Sequence, residues 1–147
     1  LNSYDEKLAD YFVKKWENKI SEFTFFGMDR NHNVVEHSIQ NSKRAGIDDI
    51  SNFKAQSIEK LSRPKGPEGL VIVNPPYGSR IGKKKDLFSL YRTFGEKMKN
   101  EFSGWRVGMI TSDNALAQST KLPLISSELA ISNGGLKIHL YRTETLA

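Results

Sequence analysis

Residues 69 to 82 read GLVIVNPPYGSRIG, an apolar run that ends on an amide, two prolines and a tyrosine. No polar residue interrupts Val71, Ile72 and Val73, the pattern of a strand covered on both faces, and this predicts an interior parallel strand. Pro75 and Pro76 remove two backbone donors and fix two φ angles, so the strand must stop there and the segment after it is stiff. That stiffness aims Asn74 and Tyr77 beyond the carboxyl end of the strand, the edge at which open α/β sheets bind ligands. A strand followed by a proline-rich turn accounts for the prolines, but not for an amide and an aromatic ring on either side of them. Such a pair suits a flat ligand that carries hydrogens to donate.

The rest of the chain supplies elements for such a sheet. Leu8, Phe12, Trp16 and Ile20 recur every four residues and predict an amphipathic helix. Residues 23 to 29, FTFFGMD, read as a strand by their aromatic content and end on a carboxylate. Asn31 or Asn33 then caps a helix on which Val35, Ile39 and Ser42 share a face, and Gly46 stops it after Lys43 and Arg44. ISNFKA, residues 50 to 55, is a weaker strand, and RPKGPEG, residues 63 to 69, is a turn-rich connection. Beyond the proline motif, Leu87, Leu90, Tyr91, Phe94 and Met98 keep helical spacing from Asp86 to about Glu101. Gly104 ends the next connection, WRVGMIT is another buried strand, and Ala115 to Ser119 form a short helix. The closing stretch alternates, with Leu136, Ile138 and Leu140 facing one way, and Asn133-Gly134 marks a tight hairpin turn. This order fits a mostly parallel α/β sheet carrying an antiparallel edge.

Composition narrows the partners. The 147 residues suffice for one domain. Twenty-two Lys and Arg against 17 Asp and Glu give a net charge of +5, which modestly favours a polyanion. Cysteine is absent, which excludes disulfides and thiolate metal sites. His32, His37 and His139 form no metal-ligand spacing, so no metal is expected, and His139 reads as a partly solvated strand residue. No apolar run approaches the roughly 20 residues of a membrane span and no signal peptide is visible, so a soluble, cytoplasmic chain without membrane partners is expected. The chain opens on LNSYDEKLADYFVKKW, with neither an initiator methionine nor a leading strand, and reads as part of a longer protein.

Three positions carry candidate chemistry. Asp29 ends a strand just before a helix, where nucleotide-binding α/β folds place an acid that accepts from ribose hydroxyls; the same position also suits an acid complementing a helix N-terminus. The side-chain oxygen of Asn74 and the backbone carbonyl of Pro75 are neighbouring acceptors, able to hold both hydrogens of an exocyclic amino group and turn its nitrogen lone pair toward an electrophile. Tyr77 can stack on the base that bears the amine, an interaction worth about 1 to 3 kcal/mol. Arg80, Lys83, Lys84 and Lys85 come next in the chain, as phosphate contacts or as an ordinary solvated loop. Trp16 and Trp105 read as core.

The string NPPY resembles the signature of methyltransferases that use S-adenosylmethionine to alkylate nitrogens on planar systems. The longer NPPYGSRIG is similar to the family of ribosomal-RNA guanine amino methyltransferases that carry an upstream THUMP RNA-binding domain. The likeness covers nearly the whole chain, through GMDRN, NSKRAGI, FSGWRVGMIT and NGGLKIHLYR. It implies a Rossmann-like class I methyltransferase sheet in which Asn74, Pro75 and Tyr77 are catalytic and Asp29, Ser57 and Asn74 hold the cofactor. Pro76, Gly78, Arg80, Lys83 and Lys84 would then touch substrate RNA. Ser57 stands where the family often has an acid for the cofactor's adenine amino group. The family's first strand and its Gly-rich loop have no counterpart in residues 1–147, so the resemblance implies a partial catalytic domain completed by upstream sequence. The implied reaction is methylation of a guanine amino group in large-subunit ribosomal RNA. An adenine amino methyltransferase acting on DNA and a non-catalytic RNA-binding module are the competing readings.

Overall fold

The computed structural model describes residues 23–77, 84–133 and 136–147. They divide into two compact units after Ala55. The helix expected around Leu8 to Ile20 lies outside the described residues, as does Trp16.

The first unit is a strand, a helix and a strand: β1 (Phe25–Asp29), α1 (His32–Ala45) and β2 (Ser51–Ala55), with β1 and β2 parallel and Gly27 opposite Phe53. Its helix begins as the sequence implies, and the structure chooses between the two asparagines. Asn31 is the cap, its side chain accepting from the Asn33 N–H at 2.9 Å. Gly46 ends α1 in the left-handed region at φ 64°, where an L side chain is strained and glycine is not. Val35 and Ser42 are buried and Ile39 half-buried on the expected face.

The second unit holds β3 (Leu70–Val73), α2 (Lys84–Glu101), β4 (Arg106–Thr111), α3 (Asn114–Ser119), β5 (Ile125–Asn133) and β6 (Leu136–Arg142). The strand order is β3-β4-β6-β5. β3 and β4 are parallel, while β6 is antiparallel to both of its neighbours, so β5 points the same way as β4. One reversed strand in an otherwise co-directional sheet agrees with the mostly parallel reading. The hairpin's last strand lies inside the sheet, between β4 and β5, and the tight-turn residues 134 and 135 fall outside the described residues.

A single core joins helix to sheet. Leu87, Tyr91, Phe94 and Met98 of α2 bury against Val107 and Met109 of β4, with Phe102, Trp105, Leu116, Ala117, Leu122, Tyr141 and Leu146 completing it. Each such side chain stabilises the fold by about 1.5 to 3 kcal/mol through apolar burial. Gly95 lets α2 lie against the turn after α3: a Cβ there would stand 2.0 Å from the carbonyl oxygen of Thr120.

One expectation is corrected. Among the described residues β3 is an edge strand of its sheet and is covered on one face only: Val71 and Val73 pack on the core, whereas Leu70 is 50% and Ile72 70% exposed. A continuous apolar run shows that both faces can be buried, and the described residues bury just the face that meets α2. In β6 the alternation left open which side meets the core, and the structure answers it. Leu140 is 43% exposed, and Tyr141 at 3% is the residue turned inward.

Candidate functional site

β3 ends at Val73, and the next four residues form the corner that the prolines require. Asn74 is exposed, while Pro75, Pro76 and Tyr77 are half-buried. No peptide bond in the described chain is cis, so the stiffness comes from the ring-fixed φ angles. Among the described residues, neither the Asn74 side chain nor the Pro75 carbonyl makes a hydrogen bond, so the two acceptors named from the sequence are unspent. Tyr77 packs against the core cluster and is half-buried.

The third carbonyl of the corner is engaged. Tyr91, on α2, places its hydroxyl 3.3 Å from the Pro76 oxygen and 3.1 Å from Thr111 Oγ1 at the end of β4. Thr111 Oγ1 also accepts the Asp113 N–H at 3.2 Å, and the Asp113 carboxylate caps α3 by accepting from the Leu116 N–H at 3.1 Å. Burial raises the Tyr91 phenol pKa above its ordinary value; the Thr111 hydrogen bond works against that, and the negative Asp113 and nearby Tyr77 add to it. The phenol is therefore a fixed donor at any ordinary pH. From sequence, Tyr91 reads only as an apolar helix-face residue and Thr111 as the end of an apolar strand. A hydroxyl on each is the signal that something polar lies between them.

In the first unit, Asp29 sits at the end of β1, exposed. One carboxylate oxygen accepts the Asn31 N–H at 2.8 Å, which organises the turn into α1, and the other has no partner among the described residues. Both readings of Asp29 are thus compatible with its geometry. Beside it lies a hollow of about 250 Å³ lined by Gly27, Met28, Asp29, Val34, Val35, Ser38 and Phe53. Its walls are largely apolar, and the side-chain acceptors there are the Asp29 carboxylate and the Ser38 hydroxyl, which donates to the Val34 carbonyl and can still accept.

Ser57 directly precedes the 3-10 turn Ile58–Lys60 in extended conformation, and its side chain makes no capping bond. Lys84 opens α2. Gly78, Arg80 and Lys83 lie outside the described residues. His139 is half-buried beside Tyr141, as a partly solvated strand histidine should be. Trp105 is a core residue, stacked edge-on against Phe102.

A sheet of co-directional strands with a single reversed strand second from one edge, helices packed on it and a ligand-facing corner at a strand's carboxyl end, is the fold of class I S-adenosylmethionine-dependent methyltransferases. The chain belongs to the UPF0020 family (RMKL-like, methyltransferase domain), whose model matches residues 6–141. Among solved structures it is similar to SMU.472 in complex with SAH, at 22% identity and TM-score 0.76, covering 99% of this chain and 39% of that one. It is also similar to a protein of Listeria monocytogenes described as a predicted N6-adenine-specific DNA methylase, at 23% identity and TM-score 0.64, covering 82% and 30%. TrmN from Thermus thermophilus matches at 20% identity and TM-score 0.70, covering 92% and 40%. The chain therefore spans about two fifths or less of the length of these structures.

Proposed function

We propose that this chain is the catalytic part of a methyltransferase that modifies the exocyclic amine of a guanine in large-subunit ribosomal RNA. The observation that carries the reading is the stiff corner at residues 74 to 77, in which consecutive residues offer two acceptors without a partner among the described residues and an aromatic ring follows two positions later. The cofactor in this reading is S-adenosylmethionine, and the SAH bound by SMU.472 supports it, as does the hollow beside Asp29. When bound, that cofactor supplies an electrophilic methyl group.

The residues of the chain then divide the work. Asn74 Oδ1 and Pro75 O accept the two amine hydrogens, which turns the nitrogen lone pair out of conjugation with the ring. No strong base is required, because the proton leaves after positive charge has built on nitrogen, and the same two oxygens stabilise that charge as it forms. Tyr77 stacks the base, which must leave its own stack at a cost of a few kcal/mol. Asp29 holds the cofactor ribose, Ser57 accepts from its adenine amine, and Pro76, Gly78, Arg80, Lys83 and Lys84 meet the RNA. The reading also requires the family's first strand and Gly-rich loop, and it places the enzyme in the cytoplasm. Within the described residues, no helix is long and apolar enough to cross a membrane.

The test is mass spectrometry of nucleosides from a strain lacking the gene. Loss of a methylguanosine from large-subunit ribosomal RNA, restored by the wild-type gene, is the expected result. Loss of methyladenine from DNA with ribosomal RNA unchanged would replace this reading by a DNA-modifying one. No change in either would leave the RNA-binding module.

A further inference from the structure

The proline corner leaves one torsion unrestrained by its rings. Each ring fixes φ, and each proline also confines the ψ of the residue before it, but Tyr77 places no such limit on the ψ of Pro76, which decides where its carbonyl points and hence where the Tyr77 ring stands. That carbonyl is the one corner acceptor with a partner among the described residues, the Tyr91 hydroxyl at 3.3 Å. Tyr91 is 1% exposed, midway along an 18-residue helix packed into the core, so its hydroxyl is a fixed point against which the corner can be set.

Hydrogen accounting makes the arrangement specific. A phenol has one proton and a carbonyl only accepts, so the proton that goes to Pro76 is not available to Thr111. The Thr111 hydroxyl can then give its own proton to the Tyr91 oxygen while its Oγ1 accepts from the Asp113 N–H. Every group from Pro76 to Asp113 is satisfied in this sense of the chain. Thr111 is wholly buried, and water cannot substitute for it at that position.

We infer that Tyr91 is a positioning residue for methyl transfer: by tying down the Pro76 carbonyl, with Thr111 fixing its own hydroxyl, it sets the Tyr77 ring and leaves the Asn74 and Pro75 oxygens free for the substrate amine. The catalytic consequence rests on the reading under Proposed function; the anchoring of the corner does not.

The experiment uses the full-length gene product with Tyr91→Phe, which keeps the buried ring and deletes the hydroxyl. Phe102→Leu, a core substitution at the far end of α2, serves as a control, compared at temperatures giving equal fractions folded. Two quantities are read: conformational exchange at the Tyr77 backbone, measured by NMR relaxation dispersion, and transfer of methyl from S-adenosylmethionine to large-subunit ribosomal RNA prepared from a strain lacking the gene. Tyr91→Phe should speed Tyr77 exchange about tenfold beyond the control, and lower kcat about tenfold with KM for S-adenosylmethionine changed less than about twofold, as loss of orientation alone requires. Thr111→Ser, which retains a hydroxyl, should stay near wild type in both, and Thr111→Val should match Tyr91→Phe. Tyr77 exchange no faster than in the control would overturn the anchor, and faster exchange with unchanged kcat would overturn its catalytic role. Should the wild-type protein methylate no such RNA, the substrate reading falls, and the exchange comparison still upholds or overturns the anchor.

Discussion

Asn74 is exposed, its side chain has no hydrogen-bond partner among the described residues, and the backbone directly after it carries two ring-locked φ angles, with Pro76 bonded to Tyr91. On this basis Asn74→Ala should lower kcat by about a hundredfold or more with cofactor affinity nearly unchanged, because the lost oxygen acts on charge that develops in the transition state. Single-turnover rates on ribosomal RNA, with calorimetric titration of S-adenosylmethionine, measure the two separately, and a matching loss of cofactor affinity would contradict the assigned role. Much of this position was legible from the chain alone: proline's covalent geometry acts on its immediate neighbours and needs no tertiary partner. Tyr91 was not legible in the same way, since helical spacing marks a face as buried but cannot say which buried ring uses its hydroxyl.

Helix α2 illustrates how packing can reverse a local preference. Glycine inside a helix is ordinarily less stable than alanine by about 1 kcal/mol, so on propensity alone Gly95→Ala should help. The added Cβ would stand 2.0 Å from the Thr120 carbonyl oxygen and 2.7 Å from its carbon, and backbone cannot yield as a flexible side chain would. Overpacking of this kind typically costs about 1 to 3 kcal/mol, and at so short a distance it outweighs the propensity gain. Gly95→Ala is therefore expected to destabilise by about 1 kcal/mol net, seen as a lower urea midpoint with an unchanged m-value. Strands β3 and β6 carry a related lesson. In β3 the apolar run identifies a strand but not how many of its faces are covered, and in β6 the Leu136-Ile138-Leu140 alternation identifies a strand but not which side meets the helices. Either choice depends on elements distant in sequence, and a tyrosine with a polar tip was the residue that went inward.

Across the protein, ionisation and net charge each lead to a prediction. Burial raises the pKa of Tyr91 and of Tyr141 above 10.0, with Asp113 pushing both the same way. A phenol that resists ionisation when folded but ionises freely when unfolded binds more protons in the native state, so its contribution to stability is intact below pH 10 and is lost as pH rises through the raised values. Urea midpoints should be flat toward about pH 9 and fall above about pH 10, and Tyr91→Phe should make that fall shallower. The net charge of +5 bears on RNA binding. If Lys83 and Lys84 meet phosphates, replacing both with alanine should reduce the slope of log affinity against log salt by about 0.7 per lost contact on single-stranded RNA. An unchanged slope would assign them to a solvated surface. What the order of residues dictated was the strand that stops at two prolines, the helix begun at Asn31 or Asn33 and ended by Gly46, and the family likeness, all of which depend on covalent geometry and near neighbours. Tertiary structure alone decided that β6 enters between β4 and β5, that β3 buries one face, and that Tyr91 and Thr111 meet at Pro76. Those outcomes depend on surfaces brought together from 15 to 36 residues away, and no local pattern encodes such a meeting.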